Sequence, residues 1–227
     1  MTTNLESDAT MRRRRRIVGV VSLAGAGLLG KSLSTKPGSP EFYGLTLGVA
    51  GTWTLGGLAS GPVHRGWVQD RDQRLSRPVI TPVLTGVVAF LVFYLCAVAS
   101  RHVPVLDRAI SSVLRYARVG SSRSVLLTTL VNGAAEEIFF RGALYAAVGK
   151  QHPVALSTAV YSLATTSTRN PALVLASAVM GALFGLQRQA TGGIQAPMLT
   201  HLTWSTLMLR FLPPLFDNDV PTAAALR

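Results

Sequence analysis

Residues 79–99 run without a single charged side chain, and nothing else in this chain limits its fold as strongly. A helix needs about 20 apolar residues to cross the hydrocarbon core of a bilayer, and this run supplies them. Shorter or less pure apolar runs recur at 17–30, 42–60, 125–149, 153–168, 172–186 and 194–211. Glycine pairs, prolines and charges punctuate them, as expected where helices end. The pattern predicts an all-α, polytopic transmembrane bundle of about six to seven spans.

Composition agrees. The chain has 227 residues, of which 48% are hydrophobic and only 14% charged, too apolar for water and too long for a simple anchor. Lys and Arg number 22 against 10 acids, a formal net charge of +12. In a soluble protein that excess would point to nucleic acid. Here most arginines lie in the N-terminal tail or between apolar runs, without an interleaved basic-aromatic face, so nucleic acid is excluded and the charge reads as topogenic. The single cysteine, Cys96, can form neither an internal disulfide nor a cysteine metal site, and is read as core packing.

Residues 1–11 are polar and read as disordered, and 12–16 are a run of arginines directly before the first apolar stretch. That stretch, 17–30, is either a signal-peptide core or an uncleaved span with Lys31 snorkelling. No small-x-small cleavage site follows, which favours the span, and both readings place the N-terminus in the cytoplasm. The run 42–60 is glycine-rich, which permits close helix approach. Arg65, Arg71, Arg74 and Arg77 should return residues 62–78 to the cytoplasm. Residues 101–123 carry Arg108, Arg115 and Arg118 at spacings of seven and three, an amphipathic stripe suited to the membrane interface. By alternation this basic segment falls outside, against the positive-inside rule. The last residues, 217–227, are a polar tail, and no internal repeat is found.

The fourth apolar helix contains Glu136, Glu137 and Arg141. A charge at mid-bilayer costs about 2.5–3.5 kcal/mol even on the lenient insertion scale, so these groups must face protein or trapped water. Glu137 and Arg141 are four apart with the acid first, the order that suits an ion pair. Glu136 points about 100° away and is left for chemistry. Asn132, one turn earlier, is placed to hydrogen-bond it.

His201 is the histidine well inside a span, roughly 12 Å into its helix, against roughly 18 Å for Glu137 in its own helix. Those depths allow contact within a bundle. Ser205 shares the His201 face one turn later, and Trp204 beside it reads as core. Intramembrane ionisable groups are costly enough to mark a functional site rather than a packing device.

Residues 136–142, Glu-Glu-Ile-Phe-Phe-Arg-Gly, followed by an apolar hairpin and a late histidine motif, resemble the CAAX protease and bacteriocin-processing family of intramembrane proteases, relatives of the type II prenyl-protein endopeptidases. The resemblance covers about residues 124–210. The family pattern is Glu-Glu-x-x-x-Arg, then Phe-x-x-x-His, then His-x-x-x-Asn or Asp. The second motif is matched by Tyr161-Ser-Leu-Ala-Thr165, with Thr165 where the family has histidine. The third is matched by His201-Leu-Thr-Trp-Ser205, with Ser205 in place of Asn or Asp.

The resemblance implies that Glu136 activates water and that Glu137 and Arg141 orient the site. It implies that His201 binds a metal or stabilises the oxyanion. Thr165 and Ser205, where this chain departs from the family pattern, can still donate hydrogen bonds to water or an oxyanion. A divalent metal such as zinc, with Glu136 and His201 as candidate ligands, is one implied cofactor. A catalytic zinc wants three protein ligands, and Thr165 is a poor substitute for histidine. The change weakens metal catalysis more than it weakens a glutamate-activated water.

Domain organisation follows as a basic cytoplasmic tail (1–16), N-terminal spans with the interfacial helix (17–123), a CAAX-protease-like core (124–214) and a polar tail (215–227). The expected function is an intramembrane endopeptidase acting on a membrane-associated peptide or membrane-protein substrate. The alternative is a catalytically degenerate relative that binds or regulates a membrane partner, and an ion carrier ranks third. Abundant arginine and alanine suggest a GC-rich bacterial genome and hence the bacterial inner membrane. The oligomeric state is not legible.

Overall fold

A computed structural model describes residues 8–69, 72–119, 121–149 and 151–219. Helices dominate it, in the order α1 (Asp8–Ser32), α2 (Pro40–Ser60), α3 (Ile80–Ser100), α4 (Pro104–Val119), α5 (Ser122–Glu136), a π-helical continuation (Glu137–Leu144), α6 (Tyr145–Val148), α7 (Pro153–Thr165), α8 (Pro171–Thr191) and α9 (Gln195–Phe211). Their limits follow local chemistry. The Ser39 hydroxyl accepts from the Phe42 amide with Pro40 in the first turn, and Asn170 accepts from Ala172 and Leu173 ahead of α8. Gly192 (φ +68°) ends α8 in the left-handed conformation that glycine adopts without strain.

Among the described residues, α3 and α8 are long and apolar enough to cross a bilayer, with mean hydropathies of 2.4 and 1.4. Along α3 the side chains of Ile80, Leu84, Val88 and Leu95 are exposed, as a lipid-facing surface requires. Cys96 lies on that exposed surface too, which corrects its reading as core.

Two further expectations change. Residues 8–11 are helical rather than disordered, because α1 runs back through the arginine run. Arg14 is buried and donates through Nε to the Ser60 carbonyl at 3.1 Å, and Arg15 donates to Ala147 O at 3.0 Å. These arginines thus supply donors to the C-terminal carbonyls of α2 and α6. The interfacial helix ends at Val119 and Ser121 caps α5, so Arg123 belongs to α5. Within residues 62–78, Val68–Gln69 and Leu75–Ser76 pair as two short antiparallel strands. The expectations for 1–7, Arg71 and 220–227 fall outside the described residues.

α1 and α2 form an antiparallel pair with the Trp53 indole laid against Gly25. Trp53 continues into the core through Phe139 and Phe140, at 4.7 and 5.0 Å between ring centroids. At the other end of α1, α4 is fastened across the bundle. The Tyr116 hydroxyl lies 2.7 Å from the carbonyl oxygens of Leu33 and Thr35, Arg118 donates to Pro213 O, and Asn170 donates to Ala109 O. The arginine run and the amphipathic helix therefore sit at opposite ends of the molecule.

At the arginine end, residues 64–67 are stitched to the α8–α9 turn. Trp67 N donates to Thr191 O, Ile194 N to His64 O and Gln195 N to Arg65 O. Gly66 (φ +87°) packs directly on Gly193, an approach that no larger residue would allow. Val63 and Ile194 of this lid lie against Gly142, one residue beyond Arg141.

Candidate active site

The α5 helix continues from Glu137 to Leu144 as a π-helix, whose turns are closed by bonds five residues back instead of four, although the Glu137 amide itself still reaches Gly133 O. Such widened turns are rare and occur often at functional sites. When the chain regains α register at Tyr145, the Tyr145 amide still reaches Phe140 O. A change of register leaves a carbonyl without an amide donor. Arg188 Nε donates to the Arg141 carbonyl at 2.9 Å, supplying one from α8.

Inside this turn Glu137 and Arg141 are sealed, at 0% and 1% exposure. Arg141 Nη1 is 3.2 Å from Glu137 Oε1. His201 Nδ1 of α9 is 2.8 Å from the same oxygen. A carboxylate only accepts, so Nδ1 carries the proton in this contact and Nε2 is the imidazole's open nitrogen. Gly133 leaves room for that nitrogen: a methyl group added there would lie 3.6 Å from it.

Aromatic rings complete the frame. Phe184 of α8 stacks on His201 at 4.8 Å, and the Arg141 guanidinium lies 4.9 Å from Phe184 and 4.6 Å from Tyr161. The arginine is thus contacted by a carboxylate and two ring faces. Glu137 Oε2 and Arg141 Nη2 are buried without a protein partner, which leaves polar valence for water or a bound group.

Glu136 is different. It is only half-buried, and the Tyr161 hydroxyl of α7 donates to its Oε2 at 2.7 Å. The expected Asn132 contact does not form, because Asn132 Nδ2 donates to Thr46 O and Thr128 O instead.

The structure therefore brings Glu136, Glu137, Arg141 and His201 together, with His201 on Glu137 rather than opposite Glu136. Thr165 and Ser205 are buried near these elements but not bonded to them. The Thr165 hydroxyl turns back to Tyr161 O at 2.9 Å. Among the described residues no hydrogen bond joins Ser205 to either glutamate or to His201. Sequence reasoning missed Phe184 and Arg188, which nothing in the spacing of α8 singles out. It named Tyr161 only as an aromatic, although its position one turn before Thr165 puts it on the same face.

The donor set does not suit a three-ligand zinc site. Among the described residues no group of three His, Cys, Asp or Glu side chains is arranged to hold a metal. Glu137 Oε1 is shared between Arg141 and His201, and Thr165 turns its oxygen elsewhere.

Residues 118–207 match the family model of Rce1-like type II CAAX prenyl endopeptidases. This segment is Rce1-like. The match and the Glu-Glu-x-x-x-Arg resemblance name the same family. The Rce1-like segment runs from the end of α4 into α9 and contains every residue of the site just described, whereas α1 to α3 lie outside it. No curated protein and no solved structure matches the chain.

Proposed function

We propose that this chain is an intramembrane endopeptidase of the CAAX protease type, hydrolysing a peptide bond of a membrane-associated substrate with water activated by Glu136. In this reading the other long helices cross the bilayer beside α3 and α8. The N-terminus and the arginine run face the cytoplasm, and the membrane is a bacterial inner membrane.

The observation that carries the reading is the division of labour between adjacent carboxylates. Glu137 is sealed and shared by Arg141 and His201, so it is a fixed part of the frame. Glu136 is partly buried and, among the described residues, no side chain donates to its Oε1, which leaves that oxygen for water, the condition for a general base. Water gives its proton to Glu136 and its oxygen attacks the carbonyl carbon. Negative charge grows on the carbonyl oxygen, where a donor is needed: the Ser205 hydroxyl, or His201 Nε2 when the imidazole carries a second proton. Glu136 then returns the proton to the leaving amine. The exclusion of bulk water strengthens each electrostatic interaction in such a site.

The test uses purified protein in detergent or nanodiscs with two probes, a farnesylated peptide ending in a CAAX sequence and an unmodified membrane peptide. Wild type is expected to cleave at least one, chelator is expected to leave the rate unchanged, and Glu136→Gln to abolish it. Equal inertness of folded wild type and Glu136→Gln on both probes would overturn the reading in favour of a non-catalytic relative. Thr165, which stands where the family has histidine, is the observation that favours that second reading.

A further inference from the structure

Thr165 marks a gap in the second motif, and its neighbour one turn earlier reaches into the site. Tyr161 and Thr165 share a face of α7, but their side chains take opposite courses. Thr165 gives its proton to the backbone of its own helix. Tyr161 crosses to α5 and donates to Glu136 Oε2 at 2.7 Å, within the short range of O–H to carboxylate bonds. The Tyr161 ring is held from two sides, by Phe140 at 4.6 Å between centroids and by the Arg141 guanidinium over its face. Among the described residues no other side chain donates to Glu136.

We infer that Tyr161 is the positioning residue of Glu136: it occupies Oε2 and thereby commits Oε1 to water. This rests on the proteolytic reading above and deepens it by naming what holds the base in place. The terminal torsion of a glutamate is soft and roughly two-fold, so a free carboxylate presents its two oxygens interchangeably over a broad arc. A donor fixed by ring packing removes that freedom. Glu137 is the poorer candidate for the base, since it is sealed at 0% exposure and its Oε1 is shared by Arg141 and His201.

The step balances without any further reagent. A water proton moves to Glu136 Oε1, the water oxygen bonds to the carbonyl carbon, and the C=O π pair moves onto oxygen. On collapse that pair returns, the C–N bond breaks, and the departing nitrogen takes the proton from Oε1. Tyr161 keeps its own proton throughout and acts only through Glu136.

Tyr161→Phe retains the ring and removes the one O–H. Two measurements on the purified full-length chain decide the matter. Infrared difference spectra, with the Glu136 band assigned by Glu136→Gln, are expected to show that band displaced in Tyr161→Phe. A fluorinated tyrosine at position 161 should displace the same band by altering only the acidity of the phenol, which covers the case of a Phe variant that does not fold. Steady-state cleavage of the farnesylated peptide is expected to lose about 10- to 100-fold in kcat at unchanged KM, the scale of a misplaced catalytic group.

A Glu136 band identical in wild type and variants, or an unchanged kcat in a cleaving enzyme, overturns the role of Tyr161 alone. Wild type that cleaves neither peptide while the band still moves brings down the proteolytic reading, and the catalytic purpose of the contact falls with it.

Discussion

His201 Nδ1 and Arg141 Nη1 meet at one atom, Glu137 Oε1, at 2.8 and 3.2 Å, so α9 and the π-helical turn are joined through a single buried oxygen. Removing that carboxylate leaves a sealed guanidinium facing aromatic rings. Breaking a buried pair from one side costs about 3–5 kcal/mol. Glu137→Ala is therefore expected to lose stability on that scale. Glu136→Gln keeps an oxygen for the Tyr161 hydroxyl and should lose no more than the net worth of one hydrogen bond, about 0.5–1.5 kcal/mol. Unfolding curves in detergent compare the two, and equal losses would show that Glu137 is not the frame.

Arg188 supplies the donor that the widened turn lacks at the Arg141 carbonyl. Arg188→Ala should cost about 1.5–3 kcal/mol, the range for a hydrogen bond to a charged group. The loss should be local. Hydrogen exchange of the amides at 141–146 is the measurement, and unchanged protection there would rule out the role.

Two glycines of α1, two residues apart, should respond in opposite senses. A methyl group at Gly25 would run into the Trp53 indole, and overpacking of this kind costs about 1–3 kcal/mol. At Gly27 nothing lies within 4 Å, so Gly27→Ala should be neutral or gain up to about 0.5–1 kcal/mol from helix propensity. Thermal unfolding of the two variants checks the α1–α2 contact directly.

Arg74 and Arg108 are exposed at opposite ends of the bundle. In a Cys96→Ala background, Arg74→Cys and Arg108→Cys should react with a membrane-impermeant thiol reagent from opposite sides. With the N-terminus in the cytoplasm, only Arg108→Cys is labelled in intact cells. Labelling of both from one side would contradict the placement of α4.

Much of this protein was legible residue by residue. Each apolar run became helical, and most ends fell near their expected limits, because hydropathy and the Pro, Ser, Asn and Gly signals at helix ends act over a few neighbours; α1 starts at Asp8 rather than 17, and α8 runs to Thr191 rather than 186. The Glu137–Arg141 pair was legible for the same reason, since four residues along a helix bring two side chains together whatever the rest of the chain does.

The misreadings are long-range. Arg14 became a buried member of α1 because its partner, the Ser60 carbonyl, belongs to another helix. Cys96 reads as core from the sequence because an all-apolar helix has no polar face to show which side is packed and which exposed. The Tyr161 hydroxyl reached Glu136 from 25 residues away, and Asn132 turned to Thr46 instead. By itself the sequence determined that charged groups would be enclosed in a helical bundle, and which helix would carry them. Only the tertiary structure decided that His201 engages Glu137 and that Glu136 answers to Tyr161. That choice depends on how α7, α8 and α9 close around the widened turn, which no local spacing encodes.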